Sequence, residues 1–176
     1  MKKRKISIST IILIIVFLVG LSVMLYPAVS DYWNSKTQSH AIAEYDEILN
    51  NMDDKQYQKL LSEAEDYNER LKSLYSPLEN YSEIEGYENS LDVTGTGIMG
   101  YVTIPEISVE LPIYHGTSDE VLNVAVGHVQ GSTLPIGGKS THSVISAHRG
   151  LPSAKLFSDL DELSEGDIFT CLLYTS

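Results

Sequence analysis

Five histidines and one cysteine are the residues of this 176-residue chain best suited to move a proton or attack a carbonyl carbon. Four of them, His115, His128, His142 and His148, fall close together, and the single cysteine, Cys171, follows. Imidazole exchanges protons near neutral pH because its reference pKa is about 6.5. A thiolate can carry an acyl group. Taken singly, each histidine is read first as a hydrogen-bonded structural or surface residue. The spacings of 13, 14 and 6 between the four match no compact zinc motif. One cysteine excludes an internal disulfide and a cysteine-cluster metal site. No cofactor-binding pattern stands out. His148 is singled out for a local reason. It follows the apolar run Ser143-Val144-Ile145-Ser146-Ala147 and opens the turn His148-Arg149-Gly150-Leu151-Pro152. A side chain placed where a strand gives way to a loop is held firmly and still meets a ligand.

The elements that must position His148 read mainly as strands. Residues 98–104, IMGYVTI, form an expected strand ended by Pro105. Ile107, Val109, Leu111 and Ile113 alternate with polar residues and Pro112, which predicts a half-buried strand at an edge or bend. A short helix or turn over 119–126, a Gly/Pro-rich loop over 127–138 and a core strand over 143–147 follow. Residues 153–163 read as a helix, with Leu156, Phe157, Leu160 and Leu163 on one face, and 167–169 as a further strand. Short strands with irregular connections predict a mostly β domain or barrel. Parallel βαβ units would need more and longer helices.

Upstream, residues 31–90 form an acidic helical region. Ile42, Tyr45, Ile48, Leu49 and Met52 recur at helical spacing, as do Tyr57, Leu60, Leu61, Ala64, Tyr67, Leu71 and Leu74. Asp53-Asp54 breaks the run in two, with one of the pair capping the second helix. The helices pack on the next domain, act as a spacer lifting it off a membrane, or do both. Ser76-Pro77 ends the pattern, and 76–97 reads as a long surface excursion. Before all this, Lys2-Lys3-Arg4-Lys5 precedes the apolar stretch 6–26, long enough to span a bilayer. Basic residues stay on the cytoplasmic side, so the remainder faces outward. A cleaved signal peptide is the alternative to a retained anchor. Past residue 30 the chain carries 24 acidic and 8 basic side chains, a surface that repels a phosphate backbone and argues against nucleic-acid binding. The expected division is a basic terminus and anchor over 1–30, the helical region over 31–90 and the strand-rich domain over 91–176.

Three stretches resemble class C sortases, the pilin-polymerising cysteine transpeptidases of Gram-positive bacteria. They are IMGYVTIPEISVELPIYHGT (98–117), VGHVQGSTLPIGGKSTHSVISAHRGLPSAKLF (126–157) and DLDELSEGDIF (159–169), in the family's order. The resemblance implies an incomplete sortase-type β-barrel behind amphipathic helices and a transmembrane helix. It also implies cleavage of a Thr–Gly bond in an LPXTG-like sorting signal through a thioacyl enzyme, resolved by a Lys amine of a pilin subunit. Pilins and other surface proteins with such signals are the implied partners, together with the bilayer at 6–26. The family histidine falls on His148 in SAHRGLP. The family's TLxTC-like segment and its Arg have no counterpart here, and Cys171 lies too close after His148 to be that cysteine. The chain is therefore expected to be truncated before its nucleophile and inactive alone. The family's lid anchor, Asp-Pro-aromatic, has its nearest match in Ser76-Pro77-Leu78, without carboxylate or ring. The alternative reading is a non-catalytic, membrane-anchored surface or scaffold protein.

Overall fold

A computed structural model describes residues 7–173. The basic cluster Lys2-Lys3-Arg4-Lys5, the first anchor residue Ile6 and residues 174–176 lie outside the described residues.

Helix α1, Ile8–Asn50, is one continuous 43-residue helix capped by the Ser7 side chain. It crosses the expected boundary at residue 30 without a break. Its first part is exposed, and its apolar composition and length suffice to cross a membrane. From Ser30 onward a stripe turns toward the rest of the protein, through Asp31, Asn34, Gln38, Ala41, Ile42, Tyr45 and Leu49. Steps of three and four residues keep such a stripe on one helix face. Helix α2, Asp54–Lys72, starts at the expected place. Asp53 accepts from the Gln56 N–H at 2.8 Å, and the Gln56 side chain accepts from the Asp53 N–H at 3.1 Å. Ala64, Tyr67, Asn68 and Leu71 form its buried face. Ser76 takes a left-handed backbone (φ 51°), and Pro77 opens the short helix α3, Pro77–Asn80.

Five strands follow: β1 Ile98–Ile104, β2 Val109–His115, β3 Val126–His128, β4 Ile145–Ser146 and β5 Thr170–Leu172. Their order across the sheet is β4-β3-β2-β1-β5. All neighbouring pairs are antiparallel except β2 and β3, which run parallel and are joined through the short helix α4, Asp119–Leu122. Side chains of β1 serve two clusters, and a register shift between Ile98 and Gly100 interrupts the simple alternation. Met99, Val102 and Ile104 join Tyr67, Leu71, Ile113 and Leu134 in the larger one. Ile98 and Tyr101 meet Ile42, Tyr45 and Leu49 of α1 in the other. The Tyr45 hydroxyl lies 3.1 Å from the Met99 carbonyl and 3.2 Å from that of Leu173.

The expectation of a mostly β barrel is wrong for this structure. Helix accounts for 49% of residues and strand for 13%, and the sheet is open and uncurled. Helices α1 and α2, 43 and 19 residues long, supply most of the helix, and the apolar residues past β4 add little strand because their backbone groups bond elsewhere. Residues 153–163 do not form a helix: the Lys155 N–H goes to Asp31 at 2.7 Å and the Phe157 N–H to the His148 carbonyl at 3.2 Å. Leu156 sits at φ 41°, outside the helical region, and only a 3₁₀ turn at Leu160–Glu162 remains. The expected strand at 167–169 begins later, at Thr170, leaving Ile168 and Phe169 exposed. The expected core strand at 143–147 shrinks to the two half-buried residues of β4 at the sheet edge. The expected loop at 127–138 starts only after His128. A parallel pair is present after all, with a four-residue helix in its crossover. Pro112 lies in an internal strand rather than an edge strand. Pairing with β3 begins one residue beyond it, at Ile113, so the ladder on that side has no partner for Pro112 to fail. The helices pack on the strand-rich part, α1 from Ser30 onward.

The capping box of α2 has a measurable weight. Asp53→Ala should lower the unfolding free energy of the detergent-solubilised chain by about 1 kcal/mol, and Asp53→Asn by much less, read from urea melts.

Candidate functional site

The strand pair β3–β4 delivers His148. Gly127 pairs with Ser146 and His128 with Ile145. The Val129 N–H reaches the Val144 carbonyl at 2.8 Å, and the Thr133 N–H reaches the His142 carbonyl at 3.1 Å. Side chains complete the seam: the His142 N–H donates to Thr133 Oγ1 at 2.8 Å and the Val144 N–H to Ser132 Oγ at 3.0 Å. His148 stands two residues past β4, half-buried, and its ring makes no hydrogen bond among the described residues. The loop behind it is closed by Phe157 on the His148 carbonyl, by the Gly150 N–H on Ser158 Oγ at 3.0 Å and by Arg149 on Asp161 at 2.9 Å. Ala154, Leu156 and Phe157 are buried beneath that loop. A half-buried imidazole with both nitrogens open, on a backbone fixed from both sides, can take and return a proton.

The other histidines do different work. His128 is fully buried. Its Nε2 lies 3.0 Å from the Thr133 carbonyl and its Nδ1 2.9 Å from the Tyr87 hydroxyl. The network assigns the neutral ring, with Nε2–H donating to Thr133 and Tyr87 O–H donating to Nδ1. The Tyr87 oxygen in turn accepts the Gly116 N–H at 2.9 Å. Burial pushes the His128 ring below its ordinary value, which fits that neutral form. His115 sets its Nε2 2.7 Å from the Ser90 carbonyl and its Nδ1 2.9 Å from that of Gly97, clamping the end of the 76–97 segment onto β2. His142 is exposed at the mouth of a groove of about 290 Å3 that Leu71, Pro77, Leu78, Gly131 and Thr133 also line. The structure thus brings His115 and His128 together around Tyr87 and leaves His142 and His148 apart from them.

Tyr87 had no signal in the sequence as a site-forming residue, and the excursion that carries it is no mere surface loop. Tyr87 and Leu91 are both buried. Pro77 and Leu78 of the same segment lie so close to Gly131 that a Cβ there would fall 2.8 Å from the Pro77 carbonyl oxygen and the Leu78 Cα. Gly131 is at φ +93°, so a side chain is unfavourable on both counts.

Cys171 lies on β5, opposite Val102 of β1. Strands β4 and β5 are the two outer strands of the sheet, four inter-strand steps apart, which is roughly 19 Å in an open sheet. Burial raises the Cys171 thiol above its ordinary value. A thiol held protonated, with no base beside it, is a poor nucleophile. Among the described residues no group of three His, Cys, Asp or Glu side chains could hold a metal ion.

Residues 102–173 match the Sortase domain family. Sortase C1 of Streptococcus agalactiae shares 43% identity with the chain, over 78% of this chain and 72% of that one, with a TM-score of 0.68. A sortase C of Streptococcus pneumoniae shares 40% identity over 75% and 67% of the two chains, with a TM-score of 0.64. Sortase C1 of GBS pilus island 1 shares 37% identity over 76% and 64%, with a TM-score of 0.65. No curated protein matches the chain. The chain belongs to the sortase family. Its fold is that of class C.

Two outcomes follow from these environments. Neutral His128 is favoured in the folded state, so the unfolded chain binds the extra proton first. That contribution is complete above about pH 6.5, the ordinary histidine value, and is lost as pH falls below it. The unfolding midpoint of the native chain should drop between pH 7 and 5.5 more steeply than that of His128→Gln. Alkylation of Cys171 by iodoacetamide should be slow at pH 7.5 and climb through pH 9 and beyond, as expected of a raised thiol; a fast plateau near pH 7 would mean an activated cysteine.

Proposed function

We propose that this chain belongs to a membrane-anchored, sortase-type cysteine transpeptidase acting on pilins or surface proteins with LPXTG-like sorting signals. The observation that carries the reading is the coincidence of the family match with the position of His148. The one histidine that the resemblance marks as catalytic is also the one at a strand exit with its ring unengaged. Residues 1–30 serve as terminus and anchor, 31–90 as helical cover and 91–176 as the sortase domain. Residues 6–26 cross the cytoplasmic membrane with the basic cluster inside, leaving the domain on the extracellular side. The S. pneumoniae relative, described with pilin substrate specificity, and the pilus-island relative support pilins as the substrate class.

In this reading His148 acts first as a general acid, protonating the amine that leaves when a Thr–Gly bond is broken by a cysteine thiolate. It then acts as a general base, taking a proton from the Lys amine that attacks the thioester. Splitting amide exchange at a thioester replaces one high barrier by two lower ones. Cys171 is not that nucleophile, since it lies on the far edge of the sheet and its thiol is held protonated. The thiolate and the guanidinium that stabilises the oxyanion belong to family segments that residues 1–176 do not match. Pro77 and Leu78, closed down on Gly131, occupy the place of a lid without the carboxylate and ring of the usual anchor.

The test uses this chain and a form carrying the family's Cys and Arg segment. The chain alone should neither cleave an LPXTG-like peptide nor form a thioester, with or without Cys171→Ala. In the completed form, His148→Ala should cut transfer at least about a hundredfold, while His142→Ala costs far less. Melting curves must match for each comparison. Loss with His142→Ala but not His148→Ala would reassign the acid–base residue. Harmless substitution of both would favour a non-catalytic scaffold.

A further inference from the structure

The apolar stretch and the folded domain are joined by almost nothing. From Ile8 to Tyr26 the helix is about 28 Å long at 1.5 Å per residue, close to the roughly 30 Å of a hydrocarbon core. Burial against the domain begins at Ser30 and Asp31, only four and five residues later. Asp31 therefore stands about 7.5 Å above Tyr26, where the headgroup layer of roughly 5–7 Å ends. Pro27, which removes one backbone hydrogen bond from the helix, falls at the exit from the apolar stretch.

At that same level α1 holds the loop behind His148. Asp31 accepts the Lys155 N–H at 2.7 Å, and the Asn34 side-chain amide donates to the Ser153 carbonyl at 2.8 Å. Tyr32 and Trp33, on the turn that carries these ties, are 69% and 70% exposed, and Tyr26, about two turns nearer the N-terminus, is 58% exposed. Tyr and Trp collect where one end of the ring meets lipid and the other meets water. Pro152, next to the tied backbone, is exposed as well.

We infer that the surface made by Tyr32, Trp33 and the 152–155 loop is a seat on the lipid headgroup layer, so that the His148 loop is held against the bilayer. The inference rests on the membrane-anchored reading above and adds to it the face that the domain turns to the lipid. The occupant is the same bilayer that α1 enters. Continuity of the helix places this face there, and no spacer lies between. His148, five residues before Ser153, stays within about 17 Å of the tied carbonyl even along a fully extended backbone.

The full chain in phosphatidylglycerol/phosphatidylcholine liposomes tests this directly. Trp33 is the sole tryptophan, so its emission reports the seat without any substitution. A fluorophore at Pro152→Cys in a Cys171→Ala background gives a second reading. The same label at Asn51→Cys, about 30 Å farther along α1, gives the reference. Headgroup-nitroxide lipid should quench Trp33 and the 152 label at least severalfold more than the 51 label, and aqueous acrylamide should do the reverse. Equal quenching at 51 and 152, with Trp33 open to acrylamide, in a protein that still sediments with the liposomes after alkaline washing, overturns the seat and leaves the anchor standing. A protein that washes off overturns both.

Discussion

One hydroxyl group organises the middle of this protein. Tyr87 Oη takes the Gly116 N–H and gives its proton to His128, whose other nitrogen holds the Thr133 carbonyl. Gly116 follows β2, His128 ends β3, and Thr133 opens the turn that leads back to β4. A single buried side chain from outside the sheet therefore fixes how β2 passes into β3 and how β3 is answered by β4. The ring is packed as closely as the oxygen is bonded, edge-on to His115 at 5.0 Å and tilted over His128 at 5.8 Å. A buried network of this kind is costly if any member is left unpaired, so it specifies one arrangement. The path that ends at His148 begins at this point.

The seam from 127 to 146 then transmits that arrangement. Ser132 and Thr133 bond the backbone of residues 142 and 144, and β4 needs only two paired residues because these side chains do the rest. The loop after His148 returns under its own apolar residues and is tied to α1 at both Ser153 and Lys155. The candidate acid–base residue is held at one end by the sheet and at the other by the helix whose first part is long and apolar enough to cross a membrane.

Local patterns made the helices and the first two strands legible. Asp53 caps as its position implied, and IMGYVTI is a strand because alternation and Pro105 both say so. The placement of His148, past a short strand and before a turn, was also legible, while its acid–base role rests on the SAHRGLP resemblance. The failures share a physical cause. Between 153 and 169 the apolar spacing suggests a helix and a strand, but the backbone donors are drawn to Asp31 and to the His148 carbonyl. Asp31 lies 124 residues from Lys155, outside any local window, and the His148 carbonyl is too far back from Phe157 to be a helical partner. Tyr87 was invisible for the same reason, since its partners lie 29 and 41 residues away. The barrel expectation failed because strand content was inferred from those same short apolar runs.

The two ties between α1 and the 153–155 loop join residues 119 and 124 positions apart. A chain made from its N-terminus has α1 in place long before its partner loop exists. Asp31 and Asn34 must wait in water while β1 and β2, separated by a short turn, find each other first. Loop closure over such a span is slow relative to local pairing. The segment bearing His148 is thus among the last parts of the described structure to settle. By the same topology, the order of synthesis leaves the His148 loop to settle after the sheet beneath it has formed.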